Sequence, residues 1–201
     1  MLSVAFPDPV HLHTGFLRAD VAGALMQRCV EELDWHAETF SLFGRTHPVP
    51  RLISWVGDPG LDYRYAARSH VGCGWPAWLD GLRVLVGAAT GQSFNHILVN
   101  RYRTGRDYMG WHRDDERGVS GNIAVLSLGA ERRFGWREGP GYRSRQLLLP
   151  SGSILTLDGH WQHTLLRERQ CEAERISLTF RSLFNVKNKS GRQGILAGTL
   201  A

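Results

Sequence analysis

An amphipathic segment near the N-terminus predicts the first helix. Over residues 20–34, the apolar side chains of Leu25, Cys29 and Leu33 recur four positions apart, which places them on one helical face. Asp20 stands where an N-cap is expected, because its carboxylate can accept a bond from a backbone N–H of the first turn.

A second amphipathic segment follows the Trp75-Pro76 pair. Proline suits the first turn of a helix, where its missing N–H has no partner to lose. Gly87 and Gly91 offer places for this helix to end. Its predicted apolar stripe consists of Trp78, Leu79, Leu82, Leu85 and Val86.

After Gly91 the pattern changes to short segments rich in β-branched and aromatic residues, separated by Gly or Pro turns. The predicted strands are 94–103, 122–130, 132–138, 144–150, 152–159 and 175–183. Two helices followed by a run of strands favour a sheet sandwich or barrel with the helices packed on one side.

The composition narrows the class of protein. The 201 residues fit one domain, and the 42 % apolar share is that of a globular chain. No apolar run approaches the roughly 20 residues of a membrane span, and the N-terminus lacks the features of a signal peptide. Cys29, Cys73 and Cys171 are scattered, which disfavours a disulfide framework and suits a reducing cytoplasm. The net charge of +5 is compatible with a polyanionic partner.

The segment YRTGRDYMGWHRDDERG (102–118) holds the first candidate chemistry. His112 and Asp114 are two residues apart, so in an extended chain both side chains point to one side and can reach one ion. Downstream, DGHWQHTLLRE (158–168) offers His160 and His163 as a third ligand. Two histidines and one carboxylate form the facial triad of Fe(II) oxygenases, and the same set could make an open zinc site or be plain polar loop residues.

The last predicted strand has a polar face of its own. In RISLTFR, Ile176, Leu178 and Phe180 alternate with a polar set: Arg175, Ser177, Thr179 and Arg181. The polar face is either wetted by solvent or, inside a barrel, a clamp for a dicarboxylate, since arginine binds carboxylates in bidentate fashion. Asn100 and Tyr102 show the same spacing on an earlier strand and carry groups that can bond carboxylate oxygens.

Together these motifs resemble the AlkB family of Fe(II)- and 2-oxoglutarate-dependent dioxygenases, in particular its nucleic-acid demethylases. The resemblance is carried by TGQSFNHILVNRYRTGRDYMGWHRDDE, IAVLSLGAERRFGWR, LPSGSILTLDGHWQH and RISLTFR, and it covers about residues 40–183. It implies an α+β fold with a double-stranded β-helix (jelly-roll) core. Within one domain spanning 1–201, we expect N-terminal helices and a nucleotide-recognition lid over about 1–92, the catalytic core over about 93–184 and a tail over 185–201.

The resemblance also implies roles for individual residues. The metal ligands would be His112, Asp114 and His163, with His163 preferred over His160 because the family's ligand closes the H/D-W-x-H stretch. The residues implied to hold 2-oxoglutarate are Asn100, Tyr102, Arg175, Thr179 and Arg181. The pattern departs at Ser177, where the family often has asparagine.

Nucleotide recognition is implied by two N-terminal segments and by the acidic residues after the metal motif. FSLFGRTHPVPR (40–51) is similar to a finger hairpin in which Phe43 would fill the gap left by a flipped base and Arg45 would contact phosphate. In GLDYRY (60–65), Tyr63 would stack on that base. A carboxylate beside a base that carries positive charge would favour it over neutral bases. The substrate-binding residues expected on this basis are Phe43, Gly44, Arg45, Tyr63, Arg64, Tyr65, Asp115 and Glu116.

The expected function is oxidative demethylation of 1-methyladenine and 3-methylcytosine in DNA, with Fe(II), 2-oxoglutarate and O2. The alternatives are the same chemistry on RNA or on a protein side chain, a zinc hydrolase, and a jelly-roll nucleic-acid binder without catalysis. We expect a monomer without a membrane partner, located in the cytoplasm, with the nucleoid in a bacterium or in the nucleus of a eukaryote.

Overall fold

The computed structural model describes residues 3–5, 9–42, 44–65, 68–114 and 119–184. Side chains are described over the same ranges except at 3–5, 40–42, 63–65, 68–70 and 119–120. The predicted tail over 185–201 lies outside the described residues.

The described chain forms fourteen strands and two helices. In chain order they are β1 (Ser3–Ala5), β2 (Val10–His13), α1 (Ala19–Glu32), β3 (His36–Leu42), β4 (Arg45–Gly57), β5 (Asp62–Tyr65), β6 (Arg68–Val71), α2 (Ala77–Thr90), β7 (His96–Tyr102), β8 (Met109–His112), β9 (Val119–Gly129), β10 (Arg132–Arg137), β11 (Arg145–Leu149), β12 (Ile154–Asp158), β13 (Gln162–Leu165) and β14 (Arg175–Leu183). Neither helix is long and apolar enough to cross a membrane.

Two antiparallel sheets face each other to form the jelly-roll core. The larger has the strand order β1-β2-β12-β9-β14-β7-β4-β3, and the smaller has the order β11-β10-β13-β8. Buried residues from both sheets pack together between them: Val125, Leu155 and Leu157 from the larger, Phe134, Trp136 and Leu149 from the smaller. The predicted fold class is confirmed.

Both helices cover the outer face of the larger sheet. Cys29 of α1 and Leu79 of α2 belong to one buried cluster with Leu126, Leu178 and Phe180 of the sheet. Full burial of such a side chain stabilises the fold by about 1.5–3 kcal/mol. Because side chains alternate along β14, burying Leu178 and Phe180 on the helical side turns the polar positions of this strand toward the other sheet.

The helix boundaries agree with the sequence pattern except in two details. The α1 helix begins at Ala19 with Arg18 as its N-cap, so the prediction that Asp20 caps it is wrong. Asp20 lies in the first turn instead, and its carboxylate accepts two hydrogen bonds from the Arg18 guanidinium. The prediction that Leu85 belongs to the buried stripe of α2 is also wrong, because Leu85 is 47 % exposed while its neighbour Val86 is buried.

The predicted order of helices before strands is incomplete, because the larger sheet also takes strands from the chain before residue 93. β4 pairs with β7 from Leu52 to Gly57 and with β3 over its earlier part. The sequence did not predict this strand because it contains Pro48 and Pro50, and proline normally argues against a central strand. Both prolines precede the segment that pairs with β7, so the ladder there keeps its N–H donors.

Candidate functional site

Two histidines and one aspartate meet where β8 and β13 run side by side. His112 and His163 are direct partners across this antiparallel pair, and their ring centroids are 4.1 Å apart. Asp114, two residues after the end of β8, lies with one carboxylate oxygen 3.7 Å from Nε2 of His112 and the other 3.9 Å from Nε2 of His163. All three ligand-type atoms lie within 4.8 Å of one another.

Backbone carbonyls orient both imidazole rings. Nδ1 of His112 lies 2.9 Å from the Gly110 carbonyl oxygen, and Nδ1 of His163 lies 3.2 Å from that of Trp161. Since a carbonyl only accepts, each Nδ1 carries the proton, and each Nε2 presents a lone pair to the centre of the group. Burial lowers the pKa of His112 to about 3 and also lowers that of His163, so both rings are neutral at physiological pH.

Asp114 is buried and ionised. Burial alone would raise the pKa of its carboxyl, but Arg181, whose Nη2 donates to Oδ1 at 2.6 Å, and the two histidines lower it to about 2. Oδ2 is buried and accepts no hydrogen bond within the described ranges. Arg181 stabilises the charge through Oδ1 alone, which leaves Oδ2 and the two imidazole lone pairs as buried donors without a partner among the described residues, so this donor set fits a metal ion. The geometry alone suits iron or zinc.

His160, the other histidine of the 158–168 segment, lies apart from this group. It is exposed, and it is held through its backbone: its N–H donates to Asp158 and its carbonyl accepts from Arg113. The structure therefore brings His163, and not His160, to His112 and Asp114.

A cavity of about 50 Å³ opens between the two sheets beside this group. The smaller sheet lines it with apolar residues, Phe134, Leu149 and Leu165, and the larger sheet adds Leu98 and Val125. The polar part is lined by Asn100, Tyr102, Arg175, Ser177, Thr179 and Arg181, which come from β7 and β14. These strands are neighbours in register, with Arg175 opposite Tyr102 and Ser177 opposite Asn100, so the two predicted polar pairs form one surface.

Arg175 is completely buried, and the protein fixes its guanidinium. Nη1 donates to the carbonyls of Ala130 and Leu149, both at 3.2 Å, and Nη2 donates to Oγ of Ser127 at 2.6 Å. Nε has no partner within the described part of the chain, so the N–H on this edge of the guanidinium is free to bond a ligand. Burial lowers the pKa of Arg175 to about 10, so the group stays protonated at neutral pH.

The charges of the cavity favour an anionic occupant. Asp114 is the one acidic side chain among the described residues that line it, whereas two guanidinium groups, those of Arg175 and Arg181, line the same cavity. A positive charge therefore remains unbalanced even before a cation binds. Because the free edge of a guanidinium matches a carboxylate in geometry, a carboxylate is the ligand that Arg175 suits best.

The predicted nucleotide-recognition residues are described only in part. Gly44 forms the turn between β3 and β4 with φ +72°, a conformation that favours glycine, and Arg45 at the start of β4 is exposed. Tyr63, Arg64 and Tyr65 lie in β5, which pairs with β6, but their side chains lie outside the described set. Phe43, Asp115 and Glu116 also lie outside the described residues, so their roles stay predictions.

Three residues in or beside the cavity escaped the sequence prediction. Ser127 and Arg51 each bond a residue of the polar wall, with Nε of Arg51 donating to Oδ1 of Asn100 at 2.7 Å. The ring of Phe134 stacks on His163 at 5.7 Å between centroids. The sequence does single out Ser127, because it is a polar residue inside the apolar run AVLSLG. No local pattern distinguishes Arg51 from a surface arginine.

Comparison with known sequences bears on this site. Residues 9–181 match the family described as the 2OG-Fe(II) oxygenase superfamily. The mouse protein DNA oxidative demethylase ALKBH2 is 35 % identical over 206 residues, covering 90 % of this chain and 86 % of that protein. The human alpha-ketoglutarate-dependent dioxygenase alkB homolog 3 is 32 % identical over 193 residues, covering 87 % of this chain and 66 % of that protein.

Solved structures share the fold at low sequence identity. An oxidoreductase of the 2OG-Fe(II) oxygenase family from Burkholderia pseudomallei superposes with a TM-score of 0.59 at 16 % identity, covering 86 % of this chain and 84 % of that one. A prolyl-4-hydroxylase from Pseudomonas putida gives 0.51 at 21 % identity, covering 87 % and 92 %. At this identity the likeness concerns the architecture and not the substrate.

Proposed function

Because the chain belongs to the 2OG-Fe(II) oxygenase superfamily, we propose that it is a DNA repair enzyme that removes methyl groups from N-alkylated bases. The observation that carries this proposal is the buried carboxylate of Asp114, which faces two imidazole lone pairs beside a cavity with excess positive charge. The similarity to DNA oxidative demethylase ALKBH2 over most of both chains supports DNA as the substrate.

The metal site would consist of His112, Asp114 and His163 holding Fe(II) on one face. When bound, iron and 2-oxoglutarate supply the oxidation: with O2, an N-methyl group leaves as formaldehyde while 2-oxoglutarate becomes succinate and CO2. The protein contributes neutral imidazoles whose tautomers are already set by Gly110 and Trp161, and a carboxylate kept ionised by Arg181. These groups require no proton release before the metal binds at neutral pH.

The co-substrate would lie along the polar wall of the cavity. We assign one of its carboxylates to the free edge of Arg175, and we assign Asn100, Tyr102 and Thr179 as hydrogen-bonding partners along the same wall. Arg181 would act at the metal end, since its guanidinium is bonded to Asp114. The apolar residues of the smaller sheet, among them Phe134 and Leu149, would keep bulk water from the bound dicarboxylate.

The damaged base would enter at the rim formed by the β3–β4 turn, the β5–β6 hairpin and the segment after Asp114. Phe43 would fill the gap in the duplex, Tyr63 would stack on the flipped base, and Arg45 would contact phosphate. Gly44, Arg64, Tyr65 and Glu116 would complete this rim. We propose that the enzyme acts as a monomer, in the compartment that holds the DNA.

The charge at Asp115 gives a testable preference among lesions. A carboxylate attracts 1-methyladenine and 3-methylcytosine because both rings carry a positive charge, and an amide of nearly the same shape does not. We expect Asp115→Asn to lower the initial rate on these lesions by more than on a neutral lesion such as ethenoadenine. Rates on single-stranded oligonucleotides carrying each lesion measure this, and equal losses on all three would remove charge recognition from the proposal.

Phe43→Ala is expected to reduce repair in duplex DNA more than in single strands, because only the duplex has a stack to close after the base flips out. Tyr63→Ala should reduce both, since stacking on the extruded base is worth about 1–3 kcal/mol in either context. Initial rates on one lesion in the two strand contexts separate these roles. Equal losses for Phe43→Ala in both contexts would place that ring in the protein core instead.

Activity profiling also decides the substrate class. DNA and RNA oligonucleotides with the same methylated base, and methylated peptides, are compared at equal concentration. The proposal predicts the highest rate on DNA. Turnover of 2-oxoglutarate without loss of methyl groups from any oligonucleotide would keep the oxygenase and reject the repair function.

A further inference from the structure

Arg51 occupies an unusual place for an arginine. It lies on β4 and is only 5 % exposed. In the larger sheet β7 separates β4 from β14, so Arg51 reaches the polar wall from the far side of β7. The residue of β4 directly opposite Asn100 is Ile53. Arg51 is two positions earlier, so it faces the same side of the sheet and reaches Asn100 along the diagonal between the two strands.

The contact between Arg51 and Asn100 fixes the orientation of the Asn100 carboxamide. Nε of Arg51 donates to Oδ1 of Asn100 at 2.7 Å, and both side chains are buried. A guanidinium has no acceptor, so the amide group of Asn100 cannot turn its NH2 toward Arg51 without losing the bond and facing one donor with another. The carboxamide is therefore held with its oxygen on the Arg51 side.

This orientation determines what Asn100 offers to the cavity. Asn100 lines the cavity, and within the described residues its Nδ2 makes no hydrogen bond. With Oδ1 engaged by Arg51, the free group is a pair of N–H donors, which suits a carboxylate or keto oxygen and opposes a donor ligand. An amide without this bond would have to turn its N–H donors toward the anion as it binds, which would cost part of the affinity.

We propose that Arg51 is a positioning residue for 2-oxoglutarate, acting through Asn100 and not by contact with the co-substrate. The inference rests on the proposed co-substrate site, and it adds to that site one residue that lies behind the polar wall of the cavity. Along the sheet, Asn100, Ser177 and Ser127 stand opposite one another on β7, β14 and β9. Arg51 bonds the first of this row and Arg175 bonds the last, so the two arginines fix the hydrogen-bonding groups at both ends.

A double-mutant cycle on 2-oxoglutarate binding tests the proposal. Binding of 2-oxoglutarate to the protein loaded with Mn²⁺ in place of Fe²⁺, without O2, is measured by calorimetry for wild type, Arg51→Met, Asn100→Ala and the double variant. We expect Arg51→Met to raise Kd roughly 3- to 10-fold, which corresponds to the loss of one oriented neutral hydrogen bond. Because Arg51 acts through Asn100, adding Arg51→Met to Asn100→Ala should change Kd little further.

Two further variants separate positioning from folding. Arg51→Lys keeps a donor that can reach an oxygen and should recover part of the affinity. Arg101→Met is the matched control, since Arg101 is the neighbour of Asn100 on β7 but bonds Glu174 at 2.5 Å. It should bind 2-oxoglutarate as wild type does. In turnover, Arg51→Met should raise KM for 2-oxoglutarate with kcat nearly unchanged, and the Tm of each variant reports any loss of fold.

Three results would overturn the inference. Equal Kd for wild type and both Arg51 variants would show that the bond positions nothing. Additive losses in the cycle would mean that Arg51 acts independently of Asn100. If the Mn²⁺-loaded wild type failed to bind 2-oxoglutarate, the proposed function itself would fail and this inference with it.

Discussion

Alanine at any one of His112, Asp114 and His163 is expected to abolish demethylation. Each contributes one of the three ligand atoms that lie within 4.8 Å of one another, and two ligands hold Fe(II) poorly. Removing even an outer partner of a metal ligand costs about 10- to 100-fold in affinity or activity, so removing a ligand itself should cost more. Formaldehyde release under saturating 2-oxoglutarate measures the loss, and the iron content of the purified variants identifies its cause.

His160→Ala is the matched control for this series. His160 lies three residues before His163, but its side chain is exposed and its bonds to Asp158 and Arg113 are made by the backbone. The variant should keep most of the activity and its full iron content. An inactive His160 variant beside an active His163 variant would show that the wrong histidine is assigned to the metal.

Arg175→Ala is expected to raise the 2-oxoglutarate requirement strongly while leaving Fe(II) binding nearly intact. The loss of a charge-assisted hydrogen bond typically costs about 1.5–3 kcal/mol, or roughly 10- to 150-fold in affinity. Arg175→Lys should not restore the affinity, because an ammonium group cannot bond Ser127 and two carbonyls while it presents an edge to a carboxylate. Succinate formation as a function of 2-oxoglutarate concentration measures the change.

Ser127→Ala is the control for Arg175. It removes one hydrogen bond that holds the guanidinium but leaves the charge and the two carbonyl partners. The 2-oxoglutarate requirement should rise only a few-fold, on the order of one neutral hydrogen bond. An unchanged dependence on 2-oxoglutarate in Arg175→Ala would refute the assignment of the polar face of β14 to the co-substrate.

The features of the site that depend on one strand were predictable from the sequence. Apolar and polar residues alternate along β14, and this pattern predicted one apolar and one polar face. Side chains of a strand alternate in direction whichever strand lies beside it. The i, i+2 spacing of His112 and Asp114 likewise placed two donors on one side. The structure has these side chains where the pattern put them.

Features that depend on pairing between distant strands could not be predicted in the same way. The bond from Arg181 to Asp114 and the bond from Arg51 to Asn100 join residues 67 and 49 positions apart. Periodicity shows which face a residue occupies but not which strand lies beside it, so neither bond has a local signal. β8 and β13, with four residues each, are also too short to show a period.

The mass of a methylated oligonucleotide reports the proposed reaction without any coupled assay. A DNA oligonucleotide with a single 1-methyladenine is incubated with the protein, and its mass is recorded with all of Fe(II), 2-oxoglutarate and O2 present and with each omitted in turn. The account predicts that the oligonucleotide loses the mass of one methylene group, in step with succinate formation, only when all three are present. An oligonucleotide that keeps its methyl group while succinate accumulates would contradict it.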